Sequence, residues 1–374
     1  MYIFIIMFVG LHNFGATCYI NTVIQCLLHD PNFISFLKSV SLSEQPITRC
    51  LYLLMSEYTA LCVDTTRTNE RLLAFIKECA RVMRGINFGE QNDIHEFMTC
   101  LIDTLCEENK AIISDSCIDK VVAAQARTDI GNLHKHLDLQ LSLSWLQTHK
   151  KCYSGLIPAY FGQTITQIMC NNPSCREIYH NIEVFSSLTL DLNVNVAPSA
   201  TGETSETIAE MIERNFVNDT VTDWKCEKCN VTHASITRSK KLTRLPQTLI
   251  VCLKRFDSSG RKIKTACNIN ESVSLVIDPS ILMYDGGSIN YNLISIGCHE
   301  GGLQGGHCYC YTRNTVNTAN AVNACVRVGW TRLDDDNVSR IETTIDRDCR
   351  NCRDCRDCRD DAPYVLMYTI ERAT

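Results

Sequence analysis

A cysteine at the predicted start of a helix is the first candidate for chemistry. From Tyr19 onward, apolar residues recur with a period near 3.6, which predicts a helix. Cys18 lies where a glycine-bounded loop meets this helix, and the helix dipole and the unpaired first-turn N–H groups there favour a thiolate. The amide of Asn13, in the same loop, is able to donate a hydrogen bond to an oxyanion. The pattern indicates a cysteine nucleophile. Because the chain has 23 cysteines, a buried structural thiol is the alternative.

A thiol nucleophile needs a base, and the base needs an acceptor that orients it. His307 follows two glycines at the start of a predicted strand, so its imidazole is expected to be exposed there. His299, at the end of the preceding predicted strand, is the competing histidine. Asp334, Asp335 and Asp336 stand at the end of a further predicted strand. The order cysteine, histidine, aspartate is that of papain-like thiol hydrolases.

Two acidic residues stand near the start of an amphipathic helix predicted from residue 90 to 105. Asp93 and Glu96 suit the positive end of that helix. They are equally suited to binding a cationic ligand, and the sequence leaves both interpretations open.

Two cysteine pairs predict a metal site. Cys170 and Cys175 form one pair, and Cys226 and Cys229 form the other. Four thiolates on two short turns match structural Zn²⁺ sites, which leave no open position for water. Unligated thiols are the alternative. The regular Cys-Arg-Asp repeat at 347–361 is different and predicts a low-complexity, solvated loop.

The order of predicted elements favours an α+β protein, with helices first and strands afterwards. We expect one domain over residues 1–374, divided into a helical part at 1–157 and a strand-rich part at 158–374. The net charge of −6 and the absence of clustered basic residues argue against binding nucleic acid. The first nine residues are too short to span a bilayer and lack the features of a secretion signal, so we expect neither membrane insertion nor export. The abundant cysteines then indicate a reducing, intracellular location in cytoplasm or nucleus.

Six sequence blocks, in order across residues 10–371, resemble the ubiquitin-specific protease family of deubiquitinating enzymes. The blocks are GLHNFGATCYINTVIQ, GEQNDIHEF, LPQTLIVCLKRF, HEGGLQGGHCYCY, GWTRLDDDNV and APYVLMY. The resemblance implies a papain-like cysteine protease fold, with a helical thumb, a β-rich palm and zinc-ribbon fingers around residues 165–235. It also implies hydrolysis of the (iso)peptide bond after the C-terminal glycine of ubiquitin.

Carried over residue by residue, the resemblance assigns a role to each candidate. Cys18 becomes the nucleophile, His307 the base and Asp334 the residue that orients the imidazole, with Asp335 as an alternate. Asn13 becomes the oxyanion donor. The matched acids are associated with the arginine-bearing tail of ubiquitin; they are Asp93 and Glu96.

The chain departs from the family pattern at three places. Cys308 stands where the family usually has tyrosine, Leu333 replaces an aromatic residue, and the first cysteine pair has the longer spacing.

We therefore expect a monomeric deubiquitinase that acts on ubiquitin or ubiquitinated proteins, with structural zinc and no organic cofactor. Two alternatives keep the same fold. One is a catalytically silent scaffold that binds ubiquitin, and the other is a protease for another ubiquitin-like modifier, because acidic residues would suit any basic tail ending in Gly-Gly.

Overall fold

The structure is a computed structural model. It describes residues 8–40, 45–58, 63–116, 118–120, 133–192, 206–265, 267–269, 273–284, 287–302, 305–313, 329–341 and 362–371. The predicted low-complexity loop at 347–361 lies outside these residues. Among the described residues, no helix is both long enough and apolar enough to cross a membrane.

Helices dominate the first part of the chain and strands the second, which confirms the predicted α+β class. The helices are α1 (Cys18–Leu28), α2 (Pro31–Ser39), α3 (Pro46–Tyr58), α4 (Thr65–Val82), α5 (Ile94–Glu108), α6 (Leu133–Thr148), α7 (Leu156–Tyr160) and α8 (Ile208–Asn215). Three of them begin at an aspartate whose carboxylate accepts backbone N–H groups of the first turn, namely Asp30, Asp64 and Asp93. This cap is why α5 starts at Ile94 and not at residue 90 as predicted.

Helix α1 is the centre of the helical part. All eleven of its residues are buried. It packs against α2 and α5 on the helical side and against strands on the other side, so its first residue lies between the two parts of the molecule.

The strands form two sheets. They are β1 (Gly162–Met169), β2 (Ile178–Phe185), β3 (Leu188–Asp191), β4 (Asp219–Lys225), β5 (Thr232–Arg244), β6 (Thr248–Lys254), β7 (Ser274–Ile277), β8 (Ile289–Gly302), β9 (Gly305–Arg313), β10 (Trp330–Asp334), β11 (Asn337–Ile341) and β12 (Ala362–Ile370). The smaller sheet has the order β2-β1-β5-β4, and the larger has the order β11-β10-β9-β8-β12-β6-β3, with β7 paired to β8. Only β3 and β6, among the pairs described, run parallel.

The smaller sheet differs from the prediction in two ways. The alternating sequence from residue 182 to 194 predicts a single strand, but its described part, which ends at residue 192, is divided between β2 and β3, and these belong to different sheets. Strands β4 and β5 were not predicted, and β5 extends to Arg244. Both strands are mostly polar and exposed, so they lack the apolar alternation that marks a half-buried strand.

A buried polar group joins the helices to the larger sheet. Asp30, with no exposed surface, accepts hydrogen bonds from the Tyr160 hydroxyl at 2.5 Å and the Thr248 hydroxyl at 2.8 Å. Asn32 donates to the same Thr248 and to Thr369 on β12. Burial raises the pKa of Asp30, so these donors compensate for the lost hydration of its carboxylate.

Candidate active site

The loop before α1 is organised by the side chain of Asn13. Its Oδ1 accepts hydrogen bonds from the N–H of Gly15 at 3.0 Å, the N–H of Thr17 at 3.2 Å and the Thr17 hydroxyl at 3.1 Å. Gly15 and Ala16 both have left-handed backbones, with φ of 96° and 52°. The loop therefore turns tightly and delivers Cys18 as the first residue of α1.

Asp335 fixes this loop from the opposite side of the site. It occupies the β10–β11 turn with φ of 49°. Its Oδ2 accepts from the Asn13 amide at 2.8 Å and its Oδ1 from the Asn21 amide at 2.7 Å, while its backbone carbonyl accepts from the Leu11 N–H at 2.8 Å. One turn thus holds the loop, helix α1 and the Asn13 side chain in a fixed relation.

The imidazole of His307 is held by the neighbouring strand. Nε2 of His307 lies 2.6 Å from Oδ1 of Asp334, the last residue of β10. Arg332 donates a hydrogen bond to the other oxygen of Asp334 at 2.8 Å. Its guanidinium carbon also lies 4.0 Å from the centroid of the Tyr309 ring. Burial alone would raise the pKa of Asp334, but the hydrogen bond from His307 and the charge of Arg332 lower it. The carboxylate is therefore ionised and fixed at both oxygens.

The sulfur of Cys18 lies between His307 and Cys308. A hydrogen bond from the Cys308 thiol is the main cause that lowers the pKa of Cys18 to about 4, against the opposing effect of burial, and His307 adds to the decrease. Hydrogen bonds to Asp334 and then to Cys18 raise the pKa of His307 to about 10. Since Nε2 faces Asp334, Nδ1 is the ring nitrogen directed to the sulfur. The pair is a thiolate and an imidazolium at neutral pH.

A cavity of about 110 Å³ opens beside Cys18. It is lined by Cys18, Gln91, Asn92, Asp93, Ile94, Phe256, His299, Gly302, Gly305, Gly306, Cys308 and Tyr364. The rim is closed on one side by Gln91, whose side-chain oxygen accepts from the N–H of Gly306 at 2.7 Å. A Cβ at Gly306 would lie 2.5 Å from Nε2 of His299, so glycine is required where β8 and β9 meet.

His299, the competing histidine, occupies a different position in this cavity. Burial lowers its pKa, and its Nδ1 is buried without a hydrogen-bond partner. Its ring packs against the ring of Phe256, with the two centroids 5.8 Å apart. Among the described residues, no aspartate forms a hydrogen bond with its imidazole. His307, and not His299, therefore has the geometry of an oriented base.

The two predicted ligand-binding acids are placed differently. Asp93 lines the cavity, but it also caps α5, because its Oδ1 accepts from the N–H groups of His95 at 2.7 Å and Glu96 at 2.9 Å. Its Oδ2 accepts from the Tyr364 hydroxyl. Glu96 is exposed in the first turn of α5 and is not a lining residue. The structure thus brings Asp93 beside Cys18 and leaves Glu96 outside the cavity.

The four paired cysteines converge at the far end of the smaller sheet. Their sulfurs lie within 4.8 Å of one another. The Sγ atoms of Cys170 and Cys229 are 3.7 Å apart and those of Cys175 and Cys226 are 3.8 Å apart. A tetrahedral Zn²⁺ with Zn–S bonds of about 2.3 Å requires sulfurs about 3.8 Å apart, so the cluster fits this ion.

Local backbone and side-chain contacts support the cluster. The two short turns that hold the cysteine pairs, 170–175 and 226–229, are called knuckles here. Each is followed directly by a residue with a left-handed backbone, Arg176 with φ of 51° and Asn230 with φ of 58°. His233 places Nε2 3.3 Å from the sulfur of Cys170, and the hydroxyl of Tyr179 lies 3.4 Å from the sulfur of Cys226. Such outer contacts orient metal-binding sulfurs.

Some residues of the site were not predicted as functional. Arg332 and Asn21, which hold Asp334 and Asp335, carried no motif of their own. The signal for Asn21 was a polar amide in a mostly apolar helix, and the structure buries this residue to 2% exposure. Cys308 was noted as a departure from the family pattern, and the alternation of Cys308 and Cys310 with two tyrosines was the signal that both cysteines face the core.

The chain is similar to known proteins in family pattern, in sequence and in fold. The model of the family described as "Ubiquitin carboxyl-terminal hydrolase" matches residues 9–368. Similar curated proteins include Ubiquitin carboxyl-terminal hydrolase Usp2 of Drosophila melanogaster, 26% identical over 80% of this chain and 30% of the relative. Ubiquitin carboxyl-terminal hydrolase 4 of Eremothecium gossypii is 24% identical over 90% of this chain and 40% of the relative. The chain thus spans less than half the length of these relatives.

Among solved structures, the chain is similar to a SAGA DUB module of Ubp8, Sgf11, Sus1 and Sgf73 described as bound to monoubiquitin. The TM-score is 0.69 at 20% identity, covering 100% of this chain and 71% of that chain. This likeness confirms the predicted papain-like α+β fold with a helical thumb, a β-rich palm and fingers that carry the four-cysteine cluster. The match of the family model over nearly the whole sequence shows that the chain belongs to the ubiquitin carboxyl-terminal hydrolase family.

Proposed function

We propose that this chain is a cysteine-type deubiquitinase that hydrolyses the (iso)peptide bond after the C-terminal glycine of ubiquitin. The observation that carries the proposal is the pairing of Cys18 with His307 beside a cavity, where Asp334 holds the imidazole at 2.6 Å. A thiolate–imidazolium pair is the active form of a cysteine protease. The family membership supports the choice of ubiquitin as substrate.

The reaction begins when the Cys18 thiolate attacks the carbonyl carbon of the scissile bond. The tetrahedral oxyanion accepts hydrogen bonds from the backbone N–H of Cys18 and from the side-chain amide of Asn13. One N–H of that amide donates to Asp335, and the other is available to donate to the oxyanion. His307 then donates its Nδ1 proton to the leaving amine, and an acyl-enzyme on Cys18 remains. His307 next takes a proton from water, which attacks the thioester and releases ubiquitin.

Asp334 and Asp335 have separate positions in this scheme. Asp334 holds the imidazole and stabilises its charged form. Asp335 instead binds Asn13 and Asn21, so we propose that it positions the oxyanion donor and does not orient the base. The two carboxylates accept hydrogen bonds from different donors, which supports this division.

Asp93 is proposed to face the basic tail of ubiquitin from the wall of the cavity. Its two oxygens already accept three hydrogen bonds. Asp93 is therefore proposed to cap α5 and, through its negative charge, to attract the basic tail along the cavity. Glu96, being exposed and outside the cavity, is proposed to act further along the same surface. The similar SAGA DUB module is bound to monoubiquitin, which supports a ubiquitin-binding role for this surface.

We further propose that Cys170, Cys175, Cys226 and Cys229 hold a structural zinc ion. When bound, the ion would cross-link the two knuckles of the fingers and so stabilise the end of the smaller sheet. The catalytic scheme uses no metal. We also propose one catalytic domain, acting as a monomer in a reducing intracellular compartment, which suits a site that depends on free thiols.

Reaction with a ubiquitin C-terminal electrophile, followed by mapping of the labelled residue, tests the proposal. We expect one label on Cys18, loss of labelling in Cys18→Ser and unchanged labelling in Cys26→Ser, which alters a buried cysteine of the same helix. Ubiquitin that binds without labelling Cys18 would favour the silent scaffold. Faster labelling by a probe built on another ubiquitin-like modifier would favour the alternative substrate.

A further inference from the structure

Strand β9 carries two cysteines that face helix α1. Cys308 and Cys310 are two residues apart and therefore lie on the same face of the strand. Both are buried in the same hydrophobic cluster as Cys18 and Cys26 of α1. Helix α1 packs directly against β9, and Cys18 and Cys308 line the same cavity. Cys308 is also the main cause that lowers the pKa of Cys18, and Cys26 contributes to the raised pKa of Cys310. Two thiol pairs therefore span the contact between α1 and β9.

The two pairs differ in access and in charge. Cys18 and Cys308 both line the cavity of about 110 Å³, which is large enough for a molecule the size of hydrogen peroxide, since one water occupies about 30 Å³ in the liquid. All four cysteines are at most 5% exposed, but Cys26 and Cys310 do not line the cavity. The pKa of Cys18 is lowered, whereas burial raises the pKa of Cys310. Only the first pair combines a reachable sulfur with a thiolate.

We infer that Cys18 and Cys308 form a reversible redox pair, in which a hydroperoxide converts the two thiols to a disulfide and blocks the active site. The inference rests on the proposed function, because the blocked group is the proposed nucleophile. Cys308 stands where the resembled family usually has tyrosine, which offers no second sulfur. The redox pair therefore follows from the residues of this chain and not from the family pattern.

The reaction has two balanced steps. The Cys18 thiolate attacks one oxygen of hydrogen peroxide, the O–O bond breaks, and the products are Cys18 sulfenic acid and hydroxide, which takes a proton from His307 to become water. The sulfur of Cys308 then attacks the sulfenic sulfur and forms the S–S bond. The hydroxyl leaves with the Cys308 proton as a second water. Peroxide is reduced and the two thiols are oxidised by two electrons.

The contacts at the site also give the order of these steps. The hydrogen bond to the Cys18 thiolate is the main reason why the pKa of Cys308 is raised, so Cys308 remains protonated in the reduced enzyme. Once Cys18 becomes a neutral sulfenic acid, that negative charge is gone and Cys308 loses its proton more readily. The resolving sulfur is thus activated by oxidation of its neighbour. It then removes the sulfenic acid before further oxidation to sulfinic acid.

The experiment exposes the purified chain to hydrogen peroxide, removes the peroxide, and divides the sample with and without dithiothreitol. Peptide mapping of the unreduced sample is expected to show a Cys18–Cys308 cross-link, with a loss of about 2 Da. Hydrolysis of a fluorogenic ubiquitin C-terminal substrate is expected to fall at least about tenfold and to return to most of its starting value after dithiothreitol. Each variant is compared with its own untreated rate.

Two variants make the test specific. In Cys308→Ser, peroxide is expected to carry Cys18 to sulfinic acid, a gain of about 32 Da, and dithiothreitol is expected not to restore the lost activity. Cys310→Ser, the matched buried position, is expected to recover as the unmodified chain does. Recovery of Cys308→Ser equal to that of the unmodified chain would overturn the inference. So would mapping of the unmodified chain that finds oxidised Cys18 without the cross-link, a result that needs no variant to fold.

The mass readout separates this inference from the proposed function. A chain that forms the Cys18–Cys308 cross-link but never hydrolyses ubiquitin would retain the redox pair and lose the deubiquitinase assignment. A chain that hydrolyses ubiquitin and forms no cross-link would do the reverse.

Discussion

The rate of Cys18 alkylation by iodoacetamide is predicted to be almost independent of pH across the neutral range. The pKa of Cys18 is lowered from an ordinary 9.0 to about 4, so the thiolate is present above pH 4 and is lost as the pH falls through that value. Iodoacetamide is neutral, and its reaction follows the thiolate fraction. The profile therefore reports the lowered pKa of Cys18, to which the Cys308 thiol contributes most and His307 adds.

The size of the effect follows from these two pKa values. For a pKa of about 4, the thiolate fraction rises only about 1.1-fold between pH 5 and pH 7, whereas a thiol at 9.0 gains about 100-fold over the same interval. The height of the plateau is a weaker criterion, because a thiolate of low pKa is intrinsically less nucleophilic, with a Brønsted slope of about 0.4–0.5. The shape of the curve is thus the decisive quantity.

Mass spectrometry of the alkylated Cys18 peptide, at short times and unit steps of pH, measures this curve. A rate that rises about tenfold per pH unit up to about 9 would refute the lowered pKa of Cys18. The pH profile of the hydrolysis rate is expected to fall at high pH as well. His307, whose pKa is raised to about 10, must be protonated to assist the leaving amine, so this upper limb follows its deprotonation. Asp334→Asn removes the main cause of that increase, so the upper limb should move down by at least about one pH unit. Asp336→Asn, in the same turn but bonded to exposed His12, should not move it.

Three further predictions use other measurements. Asn13→Ala is expected to lower kcat for a ubiquitin C-terminal substrate by about 10²–10³ without abolishing it, because one oxyanion donor is lost. Cys226→Ser is expected to lose about one equivalent of zinc by elemental analysis, whereas Cys50→Ser, outside the cluster, retains it. Gly306→Ala is expected to lower kcat/KM at least about tenfold with an unchanged circular dichroism spectrum, since its Cβ would overlap the carbonyl oxygen of Glu300 on β8. Gly287→Ala is the control, because no other part of the described chain comes within 4 Å of the added carbon.

The sequence was most informative where one residue type and one local pattern decide the outcome. The position of Cys18 at the start of α1 followed from the period of the apolar residues, and the structure begins the helix at that residue. The four-cysteine cluster followed from ligand spacing. In both cases the relevant physical constraint acts over a few neighbouring residues, so it can be read without the rest of the fold.

The sequence was less informative where a contact depends on distant parts of the chain. Asp334 and Asp335 are adjacent acids of the same type, yet one holds His307 and the other holds Asn13, because the left-handed turn at Asp335 directs their side chains apart. The partner of Cys308 likewise depends on the packing of β9 against α1. Strands β4 and β5 escaped prediction because solvent, and not a core, covers most of their surface.

The place of β12 in the larger sheet has a consequence for the newly made protein. This strand inserts between β8 and β6 and pairs with both, although it is the strand furthest along the described chain from Cys18. Until it emerges from the ribosome and docks, β8 lacks one of its paired strands, and the β8–β9 hairpin that bears His307 lacks this support. We expect a polypeptide without β12 to carry Cys18 with a pKa closer to its ordinary value of 9.0. Completion of the larger sheet is thus a precondition for holding His307 beside Cys18.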